Sequence, residues 1–239
     1  MKNAGILFSL TLGLAFLLNI LPQTSFVQAQ ATEAGMNVAP SVVAEISSYE
    51  ELDMALETAD VILFSVDEKG DVRLSDKQSY SLGELYERCG EIVPAVRVQT
   101  QGEADALSAF LIESGAEDFF VLSDSAQMID AVRSQYSVVR GVYDAQNKEL
   151  TGEDAGFTLA GEVCAAQAQV VMLGENVTRD LVEQVQARSV LVWVSSDTDE
   201  ESLWAAATSG CFGIVGSEPA AVKQVLSQMD EDTLARPVY

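Results

Sequence analysis

The 239-residue chain contains no histidine. That absence excludes Ser-His-Asp and Cys-His relays, histidine-ligated zinc and any imidazole acid or base. Basic residues are scarce too: 13 Lys and Arg stand against 37 Asp and Glu, a formal charge of −24. Proteins that grip nucleic acid neutralise phosphates with clustered Lys and Arg, so no nucleic-acid partner is expected. The same acidity argues against docking on an anionic membrane surface. Cysteine is limited to Cys89, Cys164 and Cys211, none in a CxxC arrangement. An odd number leaves at least one thiol outside any intrachain pair, and spacing alone assigns no disulfide. Packing as small apolar residues is their simplest role. What the chain does have is apolar substance. Hydrophobic residues make up 48%, enough for a packed core, so this is no disordered acidic tail.

Lys2 precedes an apolar run from Gly5 to Leu21, and no other charge appears before Glu33. Val27-Gln28-Ala29 and Ala29-Gln30-Ala31 both put small residues where a signal peptidase needs them. Residues 1–31 therefore read as a cleaved signal peptide, implying a secreted or cell-envelope protein. Left uncleaved, the run of about 17 residues sits near the lower limit for spanning and would be a membrane tether. Residues 32–40 read as a linker, 41–230 as one folded domain and 231–239 as an acidic C-terminal tail.

Within 41–230, short β-branched runs alternate with amphipathic stretches. Strands are predicted at 41–46, 60–66, 92–98, 118–122, 137–142, 169–173, 189–195 and 212–215. Their near-continuous apolar character suits parallel strands covered on both faces. Val222, Val225, Leu226 and Met229 form one helical stripe, and Leu107, Phe110 and Leu111 form another. Gly90, Gly115 and Gly210 mark helix ends. Eight such alternations predict an α/β (β/α)8 TIM barrel, with a doubly wound open sheet as the alternative. No glycine-rich dinucleotide motif or P-loop follows a strand, which counts against nucleotide binding. Glu68-Lys69-Gly70-Asp71 predicts a tight hairpin turn before Val72, and 144–155 reads as a loop above the fifth strand.

Several runs resemble the glycerophosphodiester phosphodiesterases. Leu191-Val192-Trp193-Val194 is similar to that family's seventh strand, and Phe212-Gly213-Ile214-Val215-Gly216-Ser217-Glu218-Pro219 to its closing strand. The helix Thr178–Val182 and the stretch from Ala59-Asp60 to Asp76 fit as well. The resemblance spans about residues 41–229. It implies a barrel that hydrolyses glycerophosphodiesters with a divalent metal. The residues that would do so are missing. Glu45 and Ile46 stand at the family's first His-Arg, and Ser75 at its second histidine with Asp76 retained. Val61 and Leu63 replace its Glu-x-Asp, and Arg97 and Gln99 its Glu-x-Lys. The chemistry needs carboxylates around a hard cation and groups that exchange protons near neutral pH. No catalytic residue, no metal site and no cofactor are therefore expected.

Barrel enzymes act at the C-terminal rim of their strands. The candidate pocket there is Glu45, Asp67, Arg97, Gln99, Arg140, Trp193 and Ser217. Arg97 is placed either in the metal's position, paired with Glu45, or outward between helices. Arg97 and Arg140 together would make an anion pocket, aided by Gly174, Gly216 and Ser217. Trp193 and Trp204 suit core packing better than ligand stacking. Asn176-Val177-Thr178 matches a glycosylation sequon, although helix capping explains it. Asp197, Asp199, Glu200 and Glu201 read as acids favouring a helix start. The leading expectation is a catalytically degenerate barrel acting as a binding or interaction module for a small molecule or a protein. The alternatives are a hydrolase using Glu45, Asp67 or Asp144, and a phosphodiesterase with an atypical site of Glu45, Asp67 and Asp76.

Overall fold

The computed structural model describes residues 39–75, 80–175 and 177–229. The predicted signal peptide, most of the linker and the tail lie outside them, as do Asp76 and Asn176. No described helix is long and apolar enough to cross a membrane.

The strands are β1 Ser41–Glu45, β2 Val61–Ser65, β3 Asp71–Val72, β4 Tyr80–Ser81 and β5 Val93–Arg97. They continue as β6 Phe120–Ser123, β7 Arg140–Asp144, β8 Val170–Leu173, β9 Leu191–Ser195 and β10 Gly213–Gly216. The helices are α1 Tyr49–Thr58, α2 Leu82–Cys89, α3 Gln101–Ser114 and α4 Ala126–Arg133. Then come α5 Ala155–Ala165, α6 Arg179–Gln186, α7 Glu200–Thr208 and α8 Pro219–Gln228. Eight strands close a parallel barrel in the order β1-β10-β9-β8-β7-β6-β5-β2. The chain is a (β/α)8 TIM barrel, and the open-sheet alternative is excluded.

Alternation along each strand divides the core in two. Val43, Leu63, Ala95, Leu122, Val142, Met172, Trp193 and Val215 fill the barrel interior. Residues of opposite parity, such as Ala44, Ile62, Val96 and Val192, pack against the helices. The interior is tight. A Cβ on Gly213 would lie 2.7 Å from Trp193 Cδ1, so only glycine leaves room for the indole. The predicted fifth strand sits later than its β-branched run suggests. Tyr136 N–H instead closes a turn onto Val132 C=O at 2.9 Å, and Val138 is exposed. Branched side chains favour extended backbone but do not by themselves recruit a neighbouring strand.

Local chemistry fixes the helix starts. Ser48 with Glu51, Ser81 with Glu84, and Thr100 with Glu103 each form a reciprocal capping box. The predicted hairpin is present. Asp67 accepts from the N–H groups of Lys69 at 2.8 Å and Asp71 at 3.0 Å, and Gly70 takes the positive φ of 82° that the turn needs. These two N–H groups hold the Asp67 carboxyl below its usual range.

Among the described residues no cysteine forms a disulfide; Cys89 and Cys211 are buried and Cys164 is exposed. Burial pushes the Cys89 thiol up to about 11, only partly offset by Arg88. Native protein at pH 8 should therefore give one readily titrated thiol with a disulfide reagent, and three in denaturant. Prompt titration of a second thiol in the native state would contradict this packing.

Candidate functional site

Strand alternation builds the site. Glu45, Ser65, Arg97, Asp144 and Ser195 each lie two residues beyond an interior core residue, namely Val43, Leu63, Ala95, Val142 and Trp193. They therefore point inward at the C-terminal mouth of the barrel. Arg97 stands among them as a cation between acids. Its Nη1 donates to Glu45 Oε1, and its Nη2 lies 3.7 Å from Asp144 Oδ2. Asp144 is further steadied by Gln146, whose backbone N–H donates to Oδ1 at 3.2 Å. Arg97 Nε is buried without a hydrogen-bond partner among the described residues. The three side chains are half-sheltered: exposure is 21% for Arg97, 37% for Glu45 and 16% for Asp144.

Above this group opens a cleft of about 550 Å³. Glu45, Ser65, Arg97, Ser195, Ser196 and Ser217 line it, with Glu51, Arg73, Glu175 and Asp197 around the wall. Several of these groups are already engaged. Glu51 Oε2 accepts from Ser47 N–H at 2.5 Å, Ser47 Oγ at 3.0 Å and Ser48 N–H at 3.1 Å. Arg73 comes from the segment after β3 and donates to Glu103 at 2.7 Å. Glu103 is 1% exposed and also accepts from the N–H groups of Gln99 at 2.6 Å and Thr100 at 3.3 Å. That buried carboxylate holds Arg73 over the mouth. Ser75 N–H donates to Ser47 C=O at 2.7 Å and draws the same segment onto the β1–α1 loop.

Of the candidate pocket residues, Glu45, Arg97 and Ser217 line the cleft. Arg97 faces the mouth rather than the helices. Asp67 belongs to the hairpin turn, where backbone N–H groups occupy it. Gln99 is exposed past the end of β5 and contributes only its backbone N–H to Glu103. Arg140 does not stand where the sequence placed it. It opens β7, so it lies at the opposite end of the strand from Asp144, roughly 13 Å away at 3.3 Å per residue. There its guanidinium covers the Phe120 ring at 4.1 Å and approaches Asp118 at 3.1 Å. The expected Arg97–Arg140 anion pocket therefore does not form. Trp193 is 1% exposed and packs edge-on to Phe120, with centroids 5.0 Å apart. It is barrel core below the cleft. Thr178 caps α6 through Leu181 N–H at 3.3 Å, and Asp199 caps α7 through Ser202 N–H at 3.0 Å.

Glu51 and Arg73 stand at the mouth beyond what the sequence indicates, and Asp197, expected among the acids of a helix start, lines the cleft as well. Ser48-x-x-Glu51 was a readable capping signature. Nothing local announces Arg73, because its place depends on how the segment after β3 folds back. Among the described residues, no three acidic or thiol side chains converge in a manner suited to a metal ion.

No protein-family model matches the chain, and no curated protein matches it in sequence. Solved structures do match. A structure described as a glycerophosphoryl diester phosphodiesterase from Silicibacter pomeroyi superposes with a TM-score of 0.67 at 15% identity, over 86% of this chain and 98% of the other. The glycerophosphodiester phosphodiesterase of Agrobacterium tumefaciens gives 0.63 at 14% identity, over 79% and 99%. N-(5'-phosphoribosyl)anthranilate isomerase from Pyrococcus furiosus gives 0.54 at 19% identity, over 78% and 97%. The chain thus has a glycerophosphodiester phosphodiesterase-like barrel fold. The isomerase's likeness shows why the fold alone does not assign chemistry.

Proposed function

We propose that this barrel is an exported binding module that does not hydrolyse phosphodiesters by a metal-dependent route. One observation carries the reading: the Arg97 guanidinium stands between Glu45 and Asp144 at the barrel mouth. A divalent cation in this position would face a fixed positive charge and would have to compete for both carboxylates. The residues present do not suit it. Arg97 cannot replace the lost proton-transfer groups, because a guanidinium stays protonated at any working pH. A carboxylate-based hydrolase is supported less well. Glu45 and Asp144 face the same guanidinium, and Asp67 is occupied by a turn. The mouth keeps an open, polar cleft within the range of about 300–1,000 Å³ usual for small-molecule sites. Export rests on the composition of residues 1–31, and the acid excess disfavours nucleic acid as a partner.

The test is release of glycerol 3-phosphate from glycerophosphodiesters with Mg²⁺ or Ca²⁺. No release above a buffer blank is expected. Metal-dependent release that a Glu45→Gln substitution abolishes would overturn the proposal.

A further inference from the structure

We infer that the cleft takes a sugar-like polyhydroxylated molecule without negative charge, and that it discriminates against phosphate esters. The inference rests on reading the cleft as a binding site and names its ligand class. Both guanidinium groups at the wall are already answered by acids: Arg97 by Glu45 and Asp144, and Arg73 by Glu103. Among the described residues lining the cleft, an entering phosphate finds no uncompensated cation. It also meets Glu175 and Asp197, which line the cleft and whose side-chain carboxylates make no ion pair or hydrogen bond among the described residues. The whole chain carries −24, which adds to the barrier against anions.

The hydroxyls of Ser65, Ser195 and Ser217 also lack partners among the described residues. Each can donate once and accept twice, whereas the two carboxylates only accept. The complement to such a wall is a set of hydroxyls, which both donate and accept. An added ammonium group would gain from Glu175 or Asp197. No aromatic side chain is among the described residues that line the cleft, and Trp193 is sealed in the barrel interior. Binding should therefore be hydrogen-bonded, wet and modest in affinity.

Matched ligands test this by calorimetry and by chemical-shift titration of the native protein. The probes are glucose, glucosamine and their 6-phosphates, each up to about 10 mM. Glucosamine should bind more tightly than glucose, and each 6-phosphate about tenfold or more weakly than its parent, a difference of about 1.4 kcal/mol. Glu175→Gln with Asp197→Asn should remove the advantage of glucosamine and leave glucose binding in place. Ser195→Val should weaken all four. Tighter binding of the 6-phosphates would overturn the ligand class while leaving the cleft a binding site. Absence of binding by all four would overturn the reading of the cleft as a binding site, and the inference with it.

Discussion

Trp193→Ala should destabilise the barrel by about 3–5 kcal/mol, the usual range for truncating a buried aromatic. Trp193 belongs to β9, points into the interior and is 1% exposed. Its edge-on contact with Phe120 and its approach to Gly213 show that the surroundings are fitted to an indole. Closed barrels collapse poorly around a deleted ring, because each strand is held by two neighbours. For a domain of this size, about 2–4 °C of melting temperature accompanies each kcal/mol, so a drop of roughly 6–20 °C is expected. Urea denaturation should show a lower midpoint with an unchanged slope. Ligand affinity of the remaining native protein should stay close to wild type, since Trp193 does not line the cleft. Unchanged stability with lost binding would put the ring in the wrong place.

The same residue illustrates what the sequence discloses. Trp193 sits in a short apolar run, and such runs announce strands buried on both faces. Eight of them on a chain of this length defined the barrel correctly, and the turn at Gly70 was legible from its residue types. The inward or outward sense of a strand is a different matter. A run that is apolar throughout carries no alternation to show which parity faces the interior. Arg97 was therefore ambiguous until its phase with Val93 and Ala95 was known. Arg140 failed for a related reason: both arginines lie on strands, but one closes its strand and the other opens it. Bounds that slip by two or three residues move a side chain from one mouth of the barrel to the other. Arg73 and Glu103 escaped notice because their bond spans 30 positions and depends on tertiary placement.

Arg97→Met should reveal how much of the mouth depends on one guanidinium. The substitution keeps an apolar stem of similar reach and removes the charge between Glu45 and Asp144. Breaking a fully buried pair costs about 3–5 kcal/mol, because the surviving charge is left unpaired. Here water reaches more than a third of the Glu45 side chain, so screening should reduce the loss to about 1–3 kcal/mol. Neutralising the carboxylates as well separates charge from packing. Arg97→Met combined with Glu45→Gln and Asp144→Asn should recover most of the loss, since charge-free replacements of ion pairs are often near neutral. The single and triple variants are compared by urea denaturation at pH 7, with millimolar Ca²⁺ added in a second series. Ca²⁺ should stabilise Arg97→Met more than it does wild type or the triple variant, because only the single variant leaves both carboxylates charged and unanswered. Equal Ca²⁺ responses in all three proteins, with no recovery in the triple variant, would mean that Arg97 is held by packing and does not occupy a cation's place.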